Sequence, residues 1–300
     1  MLNNGKEILL TVVVPFFNAA STITACAKSL LPHKSGAVEV LFVDDGSADG
    51  SADVLLGVFP EAMVVRHEAN RGTAAALTTG YRAAHGDYLL RCDADDYIDG
   101  NLLDAIVGLI VERHPDIVEF AMRTHEKGKV KEEMPSGNGD LNDMALSTVN
   151  FSLCNHAVRR ELILDALPYE ALNCWEDLSV MARILSRQPS VARIDGPAYN
   201  YVRPDSPTSL SVADHSVILR DRVGVAERID AYFTENGLAE KFRPFLDRVK
   251  FSAKARYMAN GMRDRRAWKT TFPEVNSRIM RLSHIRLRHK LMFAILSLIP

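Results

Sequence analysis

The 300-residue sequence predicts an α/β fold built on a mostly parallel, doubly wound sheet with helices on both faces. Three observations predict it. Runs of β-branched and leucine residues alternate with stretches of helical periodicity. The first runs have no polar face, as expected of strands covered on both sides. Three of them stop at polar clusters: Pro15-Phe16-Phe17-Asn18, Asp44-Asp45 and Asp93-Ala94-Asp95. Right-handed crossovers bring such strand ends to one edge of the sheet, which is where ligands bind in this architecture.

The elements follow in order. Ile8 to Val14, closed by Pro15, predicts the first strand. Asn18 to Ser21 is turn and cap material. Ile23, Ala27, Leu30 and Leu31 then recur at helical spacing until Pro32. Val38 to Val43 predicts a second strand, Gly50 to Phe59 a short helix, and Ala62 to Val65 a third strand. After the loop Asn70-Arg71-Gly72, Thr73 is placed to cap an alanine-rich helix to His85, which Gly86 breaks. Asp87 to Arg91 is the fourth strand.

The second half is less regular. Leu102 to Arg113 predicts a helix, Asp116 to Met122 a strand, Thr124 to Asp140 an exposed loop or hairpin, and Asn150 to Val158 another strand. Arg159-Arg160-Glu161 opens a helix. Leu178, Met181, Ala182 and Leu185 form an apolar stripe that puts Glu176 and Asp177 in the first turn of their helix. Ala198 to Arg203 reads as extended, and the chain from Ser216 onward as helical and arginine-rich. The expected division is a sheet domain over 1–210 and a helical region over 211–300.

Composition narrows the function classes. Lys and Arg number 36 against 38 Asp and Glu, a formal net charge of −2, which argues against a protein that coats nucleic acid. Cys26, Cys92, Cys154 and Cys174 lack metal-ligand spacing and fit a reducing cytosol better than a disulfide frame. The N-terminus carries no signal-peptide pattern, and no stretch reaches the roughly 20 apolar residues needed to span a bilayer. A cytoplasmic location is therefore expected. Oligomeric state is not legible.

The polar clusters carry the chemistry. Asp93, Asp95 and Asp96 fall within four residues, and such a cluster resists burial unless a cation neutralises it. Hard carboxylate ligands suit Mg²⁺ or Mn²⁺ completed by a substrate phosphate. The competing reading is a solvated acidic turn in which Asp96 or Asp99 caps the next helix. Asp44 is placed to accept from a base or ribose, or else to sit in a turn whose Ser47 caps the following helix. Arg71 either pairs with Asp44 or Asp45 or touches a base or phosphate with its planar fork. No glycine-rich phosphate loop is present, so metal and side chains must hold phosphates. Glu176 and Asp177 either cap a helix or supply a base kept ionised by the helix dipole. Tyr199, Tyr201 and Arg203 share one face of an extended segment: an amphipathic edge strand, or a diphosphate contact followed by a Pro204–Ser211 lid. His156 and His215 read as ordinary polar residues, His215 being the better site candidate.

Taken in order and spacing, V-V-V-P-F-F-N, V-D-D-G-S, N-R-G, D-A-D-D and W-E-D resemble the inverting family 2 glycosyltransferases of the GT-A (Rossmann-like) fold, over about residues 8–205. The resemblance implies a nucleotide-sugar donor, usually a UDP-sugar, a divalent cation, and a hydroxyl acceptor on a glycan or lipid-linked molecule, as in bacterial polysaccharide biosynthesis. It implies that Pro15, Phe17, Asn18 and Asp44 line the nucleotide side with help from Arg71. Asp93 would hold ribose or metal waters, Asp95 would ligate the metal, and Arg203 would meet the diphosphate. Asp177 would be the catalytic base, with Glu176 setting the acceptor. Asn155-His156 departs from the family pattern, which often has lysine or arginine there. The alternative reading is a metal-dependent nucleotidyl or phosphoryl transferase using the same aspartates.

At the C-terminal end, Arg281, Arg286, Arg288 and Lys290 precede an almost wholly apolar Leu291 to Ile299. That order predicts either peripheral contact with an anionic membrane over 281–300 or a helix docked on the protein's own core.

Overall fold

The structure, a computed structural model, describes residues 2–3, 6–31, 36–136, 139–167, 175–203, 215–258, 264–282 and 285–298. Two units emerge from the pattern of contacts, and neither is continuous in sequence. One comprises Met1–Pro135, Thr148–Ala171 and Arg187–Pro207, and the other Ser136–Ser147, Leu172–Ser186 and Thr208–Pro300.

The first unit holds the sheets. A two-residue pair, β1 (Leu2–Asn3) and β2 (Lys6–Glu7), precedes β3 (Leu10–Phe16), α1 (Ile23–Leu30), β4 (Val38–Asp44), α2 (Ser51–Val58), β5 (Met63–Arg66), α3 (Thr73–Ala83) and β6 (Tyr88–Arg91). Then come β7 (Tyr97–Ile98), α4 (Leu102–Arg113), β8 (Ile117–Glu126), β9 (Lys129–Glu133), α5 (Thr148–Phe151), β10 (His156–Arg159) and α6 (Arg160–Ala166). The long strand β11 (Val191–Val202) completes this unit, while α7 (Glu176–Leu185) belongs to the other.

The large sheet has the order β5-β4-β3-β6-β10-β8-β11-β7, with β9 on β8. β5, β4, β3 and β6 pair in parallel, as expected. β10 is antiparallel to both β6 and β8, so β8 and its parallel neighbour β11 run the same way as β3. The carboxyl ends of β3, β4, β5, β6, β8 and β11 therefore share one edge. β3 and β4 are buried at every position, which their unbroken apolar runs require.

Pro15 lies inside β3 rather than after it. Val13 carbonyl accepts from Cys92 on the β6 side, whereas Phe16 carbonyl accepts from Asp45 on the β4 side. Pro15 therefore faces the β6 side, two residues beyond the last β3–β6 pair at Val13–Arg91, and its missing N–H breaks no ladder bond. Gly80 in α3 lets that helix lie close on the sheet: a Cβ there would stand 2.3 Å from Val13 Cγ1.

Some local expectations change and others hold. The segment expected as one strand over Asn150–Val158 is a helical turn, α5, followed by the short β10. Thr124–Asp140 contains the β8–β9 hairpin, paired from Met122–Glu133 to Glu126–Lys129. Neither Ser47 nor Thr73 caps a helix; the N-cap positions of α2 and α3 are Gly50 and Gly72. β11 is not an edge strand, because β8 and β7 flank it. The buried cysteines Cys26, Cys92 and Cys154 are free thiols.

The second unit is helical: α7, α8 (His215–Glu235), α9 (Arg243–Lys254), α10 (Arg265–Thr270), α11 (Pro273–Asn276) and α12 (Leu287–Leu298). Phe233, Phe242 and Phe245 pack together between α8 and α9 with ring centroids 5.4–5.9 Å apart. A smaller core gathers Phe251, Trp268, Val275, Ile279 and Leu282. Among the described residues no helix is long and apolar enough to cross a membrane. The Pro204–Ser211 segment and Cys174 lie outside the described residues, as does the side chain of His215.

Candidate active site

At the carboxyl edge of the first unit the loops after β3, β4 and β5 are knitted together. Asn18 adopts a left-handed conformation (φ 49°). Its N–H donates to Ser47 Oγ (3.0 Å), and its Oδ1 accepts from Ala48 N–H (3.0 Å). Ser51 Oγ and Asp49 take the next two loop donors, Ala19 and Ala20 N–H. Asn18 is thus spent on holding two loops in register, while Phe17 beside it stays exposed.

Asp44 and Asp45 diverge in role. Asp44 is fully buried; its Oδ1 accepts from Ser47 N–H (2.8 Å). Its Oδ2 lies 3.3 Å from Arg66 Nε, close enough for ion pairing, yet it receives no hydrogen bond. Asp45 organises the Asn70-Arg71-Gly72 loop: it meets His67 Nδ1 (2.6 Å) and accepts the backbone N–H groups of Arg71 (3.0 Å) and Gly72 (2.7 Å). Gly46 permits the approach, since a Cβ at its φ of +79° would stand 2.7 Å from the Ala69 backbone. Of the two readings of Arg71, the side-chain pairing with Asp44 or Asp45 is replaced by a backbone contact, and Arg71 itself stays exposed.

The turn after β6 brings one oxygen each of Asp93, Asp95 and Asp96 within 4.8 Å of one another. Arg91 grips Asp93 with Nε (2.7 Å) and Nη2 (3.0 Å). Tyr199 on β11 accepts from Asp93 N–H (3.1 Å) and donates to Asp96 Oδ2 (2.5 Å); Val202 N–H donates to Asp96 Oδ1 (2.7 Å). Asp95 alone points to solvent. The helix capping that the competing reading gave to Asp96 or Asp99 does not occur; the N-cap of α4 is Asn101. Asp99 instead accepts from Arg123, Asn200 and Ala198 N–H, tying the turn to β8 and β11.

Electrostatics mark this cluster. Burial first, and then the charges of Asp93 and Asp95, push the Asp96 carboxyl up to about 8. Asp95 is raised too, by partial loss of hydration and then by Asp93. Burial drives the Tyr199 phenol well above its ordinary value, so it remains a donor. Crowded carboxylates of this sort are what a divalent cation would relieve. Asp95, exposed, and Asp93, partly exposed, have the oxygen chemistry to hold one, with Asp96 behind them.

Other residues fall into place. Arg203, exposed, lies 3.4 Å from Glu126 and 5.6 Å over the Tyr201 ring. Asn155 and His156 are buried and bonded to backbone carbonyls: Asn155 Nδ2 donates to Val149 O (2.9 Å), and His156 Nδ1 to Ser152 O (2.6 Å). In the second unit Glu176 and Asp177 occupy the first turn of α7, partly buried. Trp175 before them has φ 66°, a costly conformation for a bulky residue. Arg222 covers its ring at 4.5 Å.

Sequence reasoning missed Arg91 and Arg66. Arg91 was findable: it stands two residues before Asp93, on the same face of an extended segment. Arg66, across a crossover from Asp44, gave no local signal.

Fold and site together define an α/β protein with a cluster of three aspartates at the carboxyl edge of its sheet. The sequence profile described as Glycosyl transferase family 2 matches residues 11–184. That is more than half of the chain, which belongs to this family. It is 31% identical over 113 residues to glycosyltransferase GlyG of Streptococcus pneumoniae, a match spanning 37% of this chain and little more than a third (38%) of that relative. Its fold is similar to that of S. aureus TarS 1–349 in complex with UDP-GlcNAc (TM-score 0.70, 19% identity, covering 97% of this chain and 90% of that one). It is also similar to the mannosyltransferase PcManGT from Pyrobaculum calidifontis in complex with GDP-Man and Mn²⁺ (TM-score 0.55, 17% identity, covering 96% and 79%). The architecture is the GT-A fold.

Proposed function

We propose that the chain is an inverting glycosyltransferase moving a sugar from a nucleotide-sugar, a UDP-sugar by preference, to a hydroxyl of a glycan or lipid-linked acceptor in polysaccharide biosynthesis. One observation carries the reading: the oxygens of Asp93, Asp95 and Asp96 converge at the same sheet edge as the buried, hydrogen-bond-free Oδ2 of Asp44. That oxygen is an acceptor for the imide N–H of a uracil, with Arg66 the side chain that makes room. Phe17, exposed, offers the base an apolar face. Family membership and the nucleotide-sugars held by the two similar structures support the donor class.

Each residue then has a task. Asp95 and Asp93 would hold a divalent cation, which when bound would neutralise charge on the departing diphosphate. Arg91 fixes Asp93, and Tyr199 fixes Asp96. Asp177, in the first turn of α7, is the base. A sugar hydroxyl is a far weaker acid than a carboxylic acid, so the proton reaches Asp177 late, as the acceptor oxygen bonds the anomeric carbon. Displacement from the face opposite the diphosphate inverts that carbon. Glu176 orients the acceptor, and Arg203 meets the diphosphate. A lipid-linked acceptor would have to be reached at a bilayer surface.

The test is a panel of nucleotide-sugars screened for thermal stabilisation of the full chain with and without Mn²⁺, followed by product analysis. The expected result is metal-dependent stabilisation by one nucleotide-sugar and release of nucleoside diphosphate. Release of inorganic diphosphate or transfer of a nucleotidyl group would instead mark a nucleotidyl transferase and overturn the proposal.

A further inference from the structure

Helix α12 is apolar on more than one side, yet only part of it is covered. Phe293 stacks on Trp268 (centroids 4.8 Å) and meets Phe251 edge-on (5.2 Å), Leu296 packs on the same small core, and Ser297 Oγ accepts from Trp268 Nε1 (3.1 Å). These contacts fix which way the helix faces. On the outer arc Leu287, Leu291 and Ile295 recur every four residues with Met292 beside them, and they are 63%, 49%, 54% and 43% exposed. A helix that is apolar all round is ordinarily buried all round. The outer stripe therefore has an occupant to find.

Charge selects the occupant. From Val275 to Pro300 the sequence has five Lys and Arg and no Asp or Glu. Arg278 is taken by Asp247 (3.0 Å). Arg281, Arg286, Arg288 and Lys290 have no acidic partner among the described residues; the three arginines are exposed, and Lys290 reaches only the Met280 carbonyl (3.2 Å). The cations lie at and before the start of α12 and the uncovered apolar side chains continue along it. A second copy docked stripe to stripe would offer these cations no acidic side chain from its own Val275–Pro300, whether the helices ran parallel or antiparallel. An anionic surface meets both features at once: phosphates for the cations, acyl chains for the leucines. At 12 residues the helix is about 18 Å long, which suits lying in the interface and not crossing it.

We infer that the outer face of α12, with Arg281, Arg286, Arg288 and Lys290, is a docking surface for an anionic lipid bilayer. The reading does not rest on sugar transfer, and its test does not measure it. The full chain is sedimented with vesicles of phosphatidylcholine alone and of phosphatidylcholine mixed with phosphatidylglycerol, at physiological salt. The wild type is expected to partition at least about tenfold more strongly onto the anionic vesicles, since each basic side chain near such a surface contributes roughly fivefold. Leu291→Glu with Ile295→Glu is expected to lower that binding by about tenfold or more. Because both side chains are exposed, its thermal transition should stay unchanged. Arg286→Gln with Arg288→Gln is expected to remove most of the preference for anionic over neutral vesicles. Three results would overturn the inference: wild-type protein left in the supernatant with both vesicle types, a Leu291/Ile295 variant that binds as well as wild type, or a dimer in sedimentation velocity that the same variant dissolves. The last would make a second copy the occupant.

Discussion

The Tyr199 hydroxyl bridges the acidic turn, accepting from the Asp93 backbone N–H and donating to the Asp96 carboxyl Oδ2. A residue on β11 thereby sets the shape of a turn that follows β6. Tyr199→Phe leaves the buried Asp96 carboxyl with one donor fewer, and the expected cost is about 1–3 kcal/mol of stability. It should also weaken Mn²⁺-dependent stabilisation by the donor, because the turn that presents Asp95 loses its brace. Thermal melts with and without Mn²⁺ check both parts. A variant with wild-type metal dependence would make the bridge structural only.

Asp95→Asn removes the exposed ligand without disturbing the Arg91–Asp93 and Tyr199–Asp96 bonds. The metal-free protein should melt no lower than wild type, since Asp95 is exposed and losing its charge relieves the crowding on Asp96. Metal-dependent donor binding should fall, and transfer with it, by about 100-fold or more, as expected when charge on a leaving group goes unneutralised. Titrating Mn²⁺ against donor-induced stabilisation separates a weaker metal site from a misfolded one.

Asp177→Asn should lower transfer by roughly 10²- to 10⁴-fold, the usual contribution of a general base, while donor affinity changes little. Single-turnover assays with a donor at saturation, beside donor binding by calorimetry, read the two quantities apart. Loss of donor affinity with normal turnover at saturation would contradict the assignment.

Glu39 links β4 to β3 and to the end of α3: it accepts from Thr11 Oγ1 (2.6 Å) and His85 N–H (3.0 Å), and it meets His85 Nδ1 (2.7 Å). Burial works to raise its pKa, but the bonds from His85 and Thr11 outweigh it, and the carboxyl is held below its ordinary value. A carboxyl lowered in the folded state adds stability above its unfolded pKa, about 4.3 for glutamate. That contribution disappears as pH falls through the folded value. Glu39→Gln should therefore cost about 1–3 kcal/mol at neutral pH, and the gap from wild type should close in acid. Denaturant melts across that range give the curve.

The sequence by itself determined the alternation of strand and helix, the bounds of helices such as Leu102–Arg113 and Glu176–Leu185, and the positions of the acidic clusters at strand ends. These are local properties: burial on both faces demands unbroken apolar runs, a helix needs its stripe, and both are written in adjacent residues. Tertiary structure decided which donors those clusters meet. Asn18 bonds the β4–α2 loop 29–30 residues away, and Val202 reaches Asp96 across 106 residues. Asp45 holds the Arg71 backbone and not its guanidinium. The antiparallel β10 between β6 and β8 was likewise invisible. Four residues of His-Ala-Val-Arg carry no direction in their composition, and strand pairing depends on partners that only the folded chain brings alongside.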